Sequence, residues 1–327
     1  MSDSESIPRW PAVCQLVRLP NVFTAMADVA MGYLFVTLGP PDWLLFLLLL
    51  AASSCLYMAG MVLNDLFDVE QDTRERPQRP IPSGAISLAT AQQIGWGLLA
   101  GGLVLAGCAS GVAMRSTDLW WRSGLIAILL AATIVLYDAV VKPTLAGPLA
   151  MGLCRMLNVL LGMSVARGAA LNQQAILSFD PSELAVAGGM GLFVVGVTWF
   201  ARREAGVISR NELFGGIVLM CCGLLLLVAL PNTGAFARGE RALTLNPPVV
   251  WPLLIFVLGF SIVRRCLTAL TDPTPARVQL AVKQCILSIV VLDAAICLAV
   301  RSPVWWAVGI VMLLVPTLFL GRWIEST

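Results

Sequence analysis

Three aspartates at helical spacing directly follow a long apolar run, and they are the residues of this sequence best placed to do chemistry. Asp65, Asp68 and Asp72 occupy positions i, i+3 and i+7, so a helix would carry all three carboxylates on one face, with Asn64 beside them. Such a face cannot point into lipid, because an acid at the centre of a membrane helix costs about 2.5–3.5 kcal/mol. We therefore predict that it lines a wet cavity where a membrane helix meets water.

Mg²⁺ is the metal that this donor set favours, because it binds oxygen ligands and completes its octahedron with water and substrate phosphate. Arg74 and Arg79 come soon after the acids, in a stretch that ends in the turn-forming residues 80–84. Guanidinium groups suit a phosphate partner, since they donate two parallel hydrogen bonds. The alternative is a solvated loop in which these acids and arginines pair with one another. The predicted metal ligands here are Asn64, Asp65, Asp68 and Asp72.

The rest of the sequence predicts a membrane protein built from helices. Hydrophobic residues make up 58% of the chain and charged residues only 12%. Apolar runs of about 20 residues recur along it, without the alternation that a barrel requires. We predict an all-α bundle of nine or ten transmembrane helices, formed by a single domain over residues 1–327, with no cleaved signal peptide. The candidate spans are centred near residues 29, 52, 101, 131, 157, 193, 222, 259, 290 and 312.

Basic residues indicate which side of the membrane the loops face, because they accumulate on the cytoplasmic side. They are concentrated near the N-terminus and in the loops after the second, fourth, sixth and eighth predicted spans. We therefore expect the N-terminus and the motif-bearing loops to be cytoplasmic.

Composition excludes several classes of function. A net charge of +2 does not favour a nucleic-acid partner, which leaves membrane lipid as the partner that composition implies. The chain contains no histidine, so His-based triads and His-containing zinc or haem sites are excluded. Its nine cysteines show no CxxC spacing, and we interpret them as packing residues of apolar helices.

The sequence resembles the UbiA superfamily of intramembrane aromatic prenyltransferases in three motifs. The resemblance implies a helical bundle around a large central cavity that is open to the bilayer. It also implies Mg²⁺-dependent transfer of a prenyl group from a polyprenyl diphosphate to an aromatic or other acceptor. The motifs are Arg18-Leu19-Pro20-Asn21, Asn64-Asp65-x-x-Asp68-x-x-x-Asp72 followed by Arg79-Pro80-Ile81-Pro82-Ser83-Gly84, and Tyr137-Asp138-x-x-x-Lys142.

The resemblance also assigns roles to individual residues. The metal and diphosphate role falls to Asn64, Asp65, Asp68 and Asp72. Arg79 and Lys142 match basic positions near the diphosphate, with Arg74 close by. Asn21 and Tyr137 match positions on the cavity wall.

One motif of the superfamily is altered in this chain. Where its members carry a second acidic motif after the sixth span, this chain has Arg202, Arg203 and Glu204. Glu204 is the acid left there to bind metal. The two arginines either hold the diphosphate directly or mark a protein that binds isoprenoids without transferring them. The Arg-x-Glu form resembles the EboC-like branch of UbiA-like proteins, which implies a bacterial inner membrane.

Further polar residues lie inside or at the ends of the predicted spans, where a charge normally faces a cavity or a partner. Asp138 and Lys142 stand at i, i+4 and could form either an ion pair or part of the phosphate site. Arg155 and Asn158 stand at i, i+3 and could either contact substrate or pair with an acid such as Asp28.

Two further predictions concern helix packing. Asp293 in the ninth span is expected to pair with Arg264 or Arg265. The glycine pairs at residues 101–102 and 188–189 are expected to allow close contact between helices.

Three functions remain open on this sequence. In a prenyltransferase, Mg²⁺ and basic side chains neutralise the departing diphosphate, and an acceptor attacks the allyl cation. In a terpene cyclase of the same fold, the same ionisation is followed by attack from the chain's own double bonds. A noncatalytic isoprenoid-binding or export component is favoured by the altered motif at Arg202 and Arg203, and is opposed by the intact aspartate motif.

Overall fold

The structure is a computed structural model that describes residues 9–37, 40–165, 176–202, 209–233 and 247–324. All regular secondary structure within those ranges is helical. A π-helical turn at Tyr137–Val141 continues one helix, and 3₁₀ turns lie at Ile176–Ser178 and Leu230–Thr233. The α-helices are α1 (Arg9–Leu16), α2 (Leu19–Val36), α3 (Trp43–Phe67), α4 (Val69–Glu75), α5 (Leu88–Ala113), α6 (Arg122–Leu136), α7 (Gly147–Met163), α8 (Pro181–Ala201), α9 (Arg210–Val228), α10 (Pro247–Thr271), α11 (Pro275–Val300), α12 (Trp305–Met312) and α13 (Leu314–Leu320).

The long helices coincide with the predicted membrane spans. Among the described residues, 8 helices are long and apolar enough to cross a bilayer. The predicted centres near residues 157 and 312 fall in two shorter apolar segments, Gly147–Met163 and Trp305–Leu320. The all-α membrane fold predicted from the sequence is confirmed.

Polar caps explain where several spans begin. The side chain of Asp42 accepts a hydrogen bond from Leu45 N (3.2 Å) at the start of α3. Ser87 does the same for the first turn of α5. At α8, Asp180 and Glu183 form a reciprocal capping box. These caps accept hydrogen bonds from backbone N–H groups that have no partner within the helix. They therefore determine the residue at which each apolar helix begins.

Small residues let several helices approach closely. A Cβ built on Gly196 of α8 would lie 2.5 Å from a backbone nitrogen of α9, so only glycine fits there. In each predicted glycine pair one member makes such a contact. A Cβ on Gly102 would lie 2.7 Å from a side chain of α3, and one on Gly189 would lie 2.8 Å from a side chain of α9, whereas Gly101 and Gly188 face open space.

Helix α2 packs against α3, α7, α11 and α13, so the first long helix adjoins the last one. Its contact with α7 is close, because a Cβ on Gly162 would lie 2.5 Å from the carbonyl oxygen of Val29. Arg18 precedes the helix and Asp28 lies near its middle, which places these two charges roughly 15 Å apart along the axis. α2 therefore carries polar side chains at two depths of the bundle.

Candidate functional site

The acidic motif lies where α3 gives way to α4. α3 ends at Phe67, and Asp68 between the two helices has φ −90° and ψ 3°. Backbone hydrogen bonds still cross this bend, from Asp68 N to Asn64 O (3.1 Å) and from Asp72 N to Asp68 O (2.8 Å). The predicted single helical face is thus interrupted at Asp68, which contacts a different basic residue from the other two aspartates.

Asp65 and Asp72 converge on one guanidinium group. Nη1 of Arg79 lies 3.3 Å from Oδ1 of Asp65 and 2.6 Å from Oδ2 of Asp72. Nη2 of Arg18 approaches Oδ1 of Asp65 from the other side, also at 3.3 Å. Asp65, Asp72 and Arg79 are all buried. Two carboxylates and two guanidiniums therefore meet at the end of α3.

A tight loop after α4 carries Arg79 back to the acids. Backbone hydrogen bonds from Ser83 N to Arg79 O (2.9 Å) and from Ile86 N to Pro80 O (3.0 Å) close it. Gly84 has φ 78°, a conformation in the left-handed region that favours glycine. Ile81 and Ile86 pack into a small apolar cluster with α1, α3 and α5. This packing explains why the turn-forming residues follow the arginine so closely.

The end of α6 supplies the remaining polar groups. There the chain forms the π-helical turn Tyr137–Val141, and Lys142 follows it directly. The ammonium of Lys142 pairs with the carboxylate of Asp68, and Nδ2 of Asn64 donates to Oδ1 of Asp138 (3.0 Å). Asp138 and Lys142 therefore each bind a residue of the acidic motif, and the ion pair considered between the two is replaced by these contacts.

These residues form one polar group, which we name the mouth cluster. Among the described residues, no set of three or more acidic or cysteine side chains is gathered closely enough to hold a metal ion. Two carboxylates do converge on a cation, the Arg79 guanidinium, and Mg²⁺ commonly takes one or two protein carboxylates. The oxygen donors therefore fit Mg²⁺, with Asp65 and Asp72 as the converging pair. The members of the mouth cluster are Arg18, Asn64, Asp65, Asp68, Asp72, Arg79, Asp138 and Lys142.

Arg74, Arg202 and Arg203 are also predicted to bind diphosphate, and Glu204 to bind metal. Arg74 is exposed to solvent. The guanidinium of Arg202, at the end of α8, lies over the ring of Trp199, 5.6 Å from its centroid. Arg203 and Glu204 lie outside the described residues. The roles assigned to these four residues therefore stay predictions.

A second polar group lies deeper, among the middles of the helices. Arg155 of α7 pairs with Asp28 of α2, and its Nη1 also donates to Thr24 O (3.3 Å). Nδ2 of Asn158 donates to Asp28 Oδ2 (2.9 Å), while its Oδ1 accepts from Ser53 Oγ (2.6 Å). Of the two roles considered for Arg155 and Asn158, the pairing with Asp28 is present in the structure. We name this second group the mid-helix cluster. Its members are Asp28, Ser53, Arg155, Asn158 and Asp293, which is described next.

Asp293 corrects one prediction. It is completely buried in α11 and interacts with Asp28 and Arg155, not with Arg264 or Arg265. Helix α11 packs against α2, which places Asp293 beside the Asp28 pair. Ser53, which sequence reasoning missed, joins the cluster from α3. A small uncharged side chain such as serine carries little signal within an apolar run, so only the fold brings these residues together.

Comparisons with known proteins agree with this architecture. The model of the UbiA prenyltransferase family matches residues 25–210. Digeranylgeranylglyceryl phosphate synthase of Metallosphaera sedula is 36% identical over 92 residues, which cover 28% of this chain and 32% of that protein. The enzyme of the same name from Methanoculleus marisnigri is 39% identical over 97 residues, covering 29% and 33%. The matched stretch thus spans about a third of the length of these relatives.

Solved structures match over almost the whole chain. A structure of digeranylgeranylglyceryl phosphate synthase has a TM-score of 0.61 at 21% identity and covers 93% of this chain and 99% of its own. A UbiA homologue from Archaeoglobus fulgidus, bound to GPP and Mg²⁺, has a TM-score of 0.60 at 13% identity and covers 92% and 99%. At these identities the structures establish the shared fold, and the family model covers more than half of the chain. The chain is therefore an integral membrane protein that belongs to the UbiA prenyltransferase family.

Proposed function

We propose that this protein is a Mg²⁺-dependent prenyltransferase that cleaves a polyprenyl diphosphate at the mouth cluster. The observation that carries the proposal is the convergence of Asp65 and Asp72 on the guanidinium of Arg79, with Arg18 and Lys142 on the flanks. Acids to hold a metal and basic groups to hold a diphosphate are thereby brought to one place. The relatives named as synthases and the homologue bound to GPP and Mg²⁺ support the same assignment.

Basic side chains of the mouth cluster would exchange partners when substrate binds. Arg18, Arg79 and Lys142 pair with carboxylates in the structure, and each can donate instead to diphosphate oxygens. Asp65 and Asp72 would then be released to bind the metal, with Asp68 and Asn64 adjacent. Mg²⁺, when bound there, supplies positive charge that stabilises the departing diphosphate.

The transfer step conserves atoms and charge without a histidine. The bond between C1 of the prenyl group and the diphosphate oxygen breaks, and its electron pair leaves with the diphosphate. An acceptor oxygen forms the new bond to C1, and its proton passes to the diphosphate. Arg18, Arg79 and Lys142 stabilise the negative charge that develops on the leaving group.

We further propose a lipid alcohol as the acceptor in preference to an aromatic compound. The names of the relatives point to a glyceryl phosphate lipid as the prenylated product. We also propose that the mouth cluster lies on the cytoplasmic side of the membrane, because the loops rich in basic residues are expected on that side. An isoprenoid carrier is the second candidate, because Arg202 lies over Trp199 at the end of α8, where superfamily members are expected to carry metal-binding acids.

Product analysis in detergent tests the proposal. The purified protein is incubated with dimethylallyl, geranyl, farnesyl and geranylgeranyl diphosphates, with and without geranylgeranylglyceryl phosphate or a phenolic acid. We expect Mg²⁺-dependent formation of a prenylated product that requires an acceptor, identified by mass spectrometry. A cyclised hydrocarbon formed without acceptor would instead identify a terpene cyclase. Binding of a prenyl diphosphate without any product would identify a carrier.

A further inference from the structure

Arg155 has hydrogen-bonding capacity that its structural contacts do not use. Its Nη1 binds Asp28 and Thr24 O, and its Nη2 lies 3.5 Å from Thr24 Oγ1. Within the described part of the chain its Nε makes no hydrogen bond, and this atom is not fully buried. The side chain as a whole keeps 12% of its surface accessible. The Nε–H of Arg155 is therefore available to donate a hydrogen bond to another group.

That accessible surface faces inward. The strongly exposed positions of α7 are Leu149 and Leu153, at 60% and 43% exposure, and Arg155 projects from the opposite side of the helix. Tyr57 of α3 lies near Arg18, Asn21 and Arg155. Tyr57 is itself only partly buried. Arg155 and Tyr57 thus line one interior space.

The interior space lies below the mouth cluster. Tyr57 precedes Asp65 by eight residues of α3, which corresponds to about 12 Å along the helix axis. A prenyl diphosphate held at the mouth would place its first isoprene units at this depth. A hydrocarbon chain has no hydrogen-bond acceptor, so it leaves the Nε–H of Arg155 unsatisfied. An unsatisfied buried donor costs free energy, which a polar atom of a second substrate can recover.

We propose that Arg155 positions the acceptor by donating a hydrogen bond from Nε to an oxygen of an alcohol substrate. This inference rests on the proposed prenyl transfer. Asp28 pairs with the guanidinium, and the Asp293 carboxyl lies beside it, so the site carries no excess positive charge. A neutral hydroxyl or ether oxygen therefore fits better than a carboxylate or a phosphate at this depth. The alcohol binds with this oxygen beside Arg155 and its nucleophilic hydroxyl towards the mouth.

Kinetics of two variants test this role with geranylgeranyl diphosphate and geranylgeranylglyceryl phosphate as substrates. Arg155→Lys keeps the charge opposite Asp28 and removes Nε, and we expect the acceptor KM to rise about tenfold or more. The KM for the prenyl diphosphate should stay within about twofold, because its binding groups are at the mouth. The double variant Asp28→Asn/Arg155→Gln removes the ion pair as a unit and should show the same selective rise.

Ser53→Ala is the matched control. It removes the 2.6 Å hydrogen bond to Asn158 and leaves Arg155 in place, so it should lower Tm without changing the acceptor KM. Arg155→Lys that lowers only Tm would overturn the positioning role. Transfer to a phenolic acid but never to the alcohol would overturn the assigned substrate class. A wild-type protein that releases no diphosphate with any substrate would overturn the proposed function as well.

Discussion

The mouth cluster and the mid-helix cluster contain similar residues, but they differ in burial and in how easily their partners can be exchanged. At the mouth, Asp65, Asp72 and Arg79 are buried, but the side chains of Lys142, Asp68 and Arg18 retain 31%, 21% and 24% of their surface. In the mid-helix cluster, Asp28 and Asp293 retain none. Partly exposed ion pairs contribute little to stability and can be replaced by other charged partners, whereas breaking a buried pair is costly. The difference indicates that the partly exposed ion pairs of the mouth cluster can exchange partners, whereas the mid-helix cluster is a fixed structural element.

Connectivity supports the same distinction. The mouth cluster joins the end of α3 to a loop and to the π-helical turn after α6, which are short local segments. The mid-helix cluster joins four long helices, α2, α3, α7 and α11. Substitutions at the mouth should therefore change the rate of diphosphate release more than the stability. Substitutions in the mid-helix cluster should mainly lower stability, except at Arg155, whose Nε is also proposed to bind the acceptor.

The largest effect is expected at the mouth. Asp65→Ala removes one of the two converging carboxylates, and Mg²⁺-dependent diphosphate release should fall by about a hundredfold or more. The fold should persist, because Arg79 keeps its 2.6 Å contact with Asp72 when Asp65 is removed. Diphosphate release and Tm are measured side by side, with Asp272→Asn as the control, since Asp272 is exposed and pairs with the exposed Arg277. Unchanged release in Asp65→Ala would remove the mouth cluster from the reaction.

The mid-helix cluster should show the opposite pattern. Asp28→Leu leaves the Arg155 guanidinium buried without its carboxylate, which should cost about 3–5 kcal/mol and lower Tm strongly. The double variant Asp28→Leu/Arg155→Met removes both charges and should recover much of that loss. Thermal unfolding in detergent measures both variants. A single variant as stable as the wild type would show that the pair does not hold α2 and α7 together.

Packing between α2 and α7 should have an intermediate effect. A Cβ on Gly162 would lie 2.5 Å from a backbone oxygen of α2, so Gly162→Ala should destabilise the protein by about 1–3 kcal/mol. Gly101→Ala is the matched control, because a Cβ there meets nothing within 4 Å and the helix should gain up to about 1 kcal/mol. Equal Tm values for the two variants would contradict the close approach.

The smallest effect should come from Arg74. It is exposed, and Arg74→Gln should change the KM for a prenyl diphosphate by less than about threefold. Arg79→Gln removes the guanidinium on which two acids converge and should raise the same KM about tenfold or more. Steady-state kinetics of both variants measure the two KM values. A larger effect from Arg74 would show that the loop after α4 moves onto the substrate.

Local pattern predicts much of the fold and part of the site. Apolar runs and polar caps define the spans, since each depends on neighbours in the sequence. Asp65, Asp72 and Arg79 could be assigned to one site because helix and turn geometry bring them together within a short stretch. The bend at Asp68 was not visible, because a change in one backbone dihedral leaves no compositional trace.

Contacts between distant segments were harder to predict. The sequence predicts that Asp293 pairs with Arg264 or Arg265 of the preceding helix α10, yet α11 packs beside α2 and brings Asp293 to Asp28. Lys142 could have bound Asp138 four residues earlier, but the π-helical turn places it against Asp68. Both outcomes depend on tertiary packing, which a residue pattern does not encode.

The most direct test of the account is release of inorganic diphosphate from geranyl and geranylgeranyl diphosphate by the purified protein, with and without Mg²⁺, compared with Asp65→Ala. We predict that release by the wild type requires Mg²⁺ and that release by the variant is lost while Tm stays nearly the same. Release that is independent of Mg²⁺, or equal in the two proteins, would contradict the assignment of the mouth cluster as the site of diphosphate cleavage.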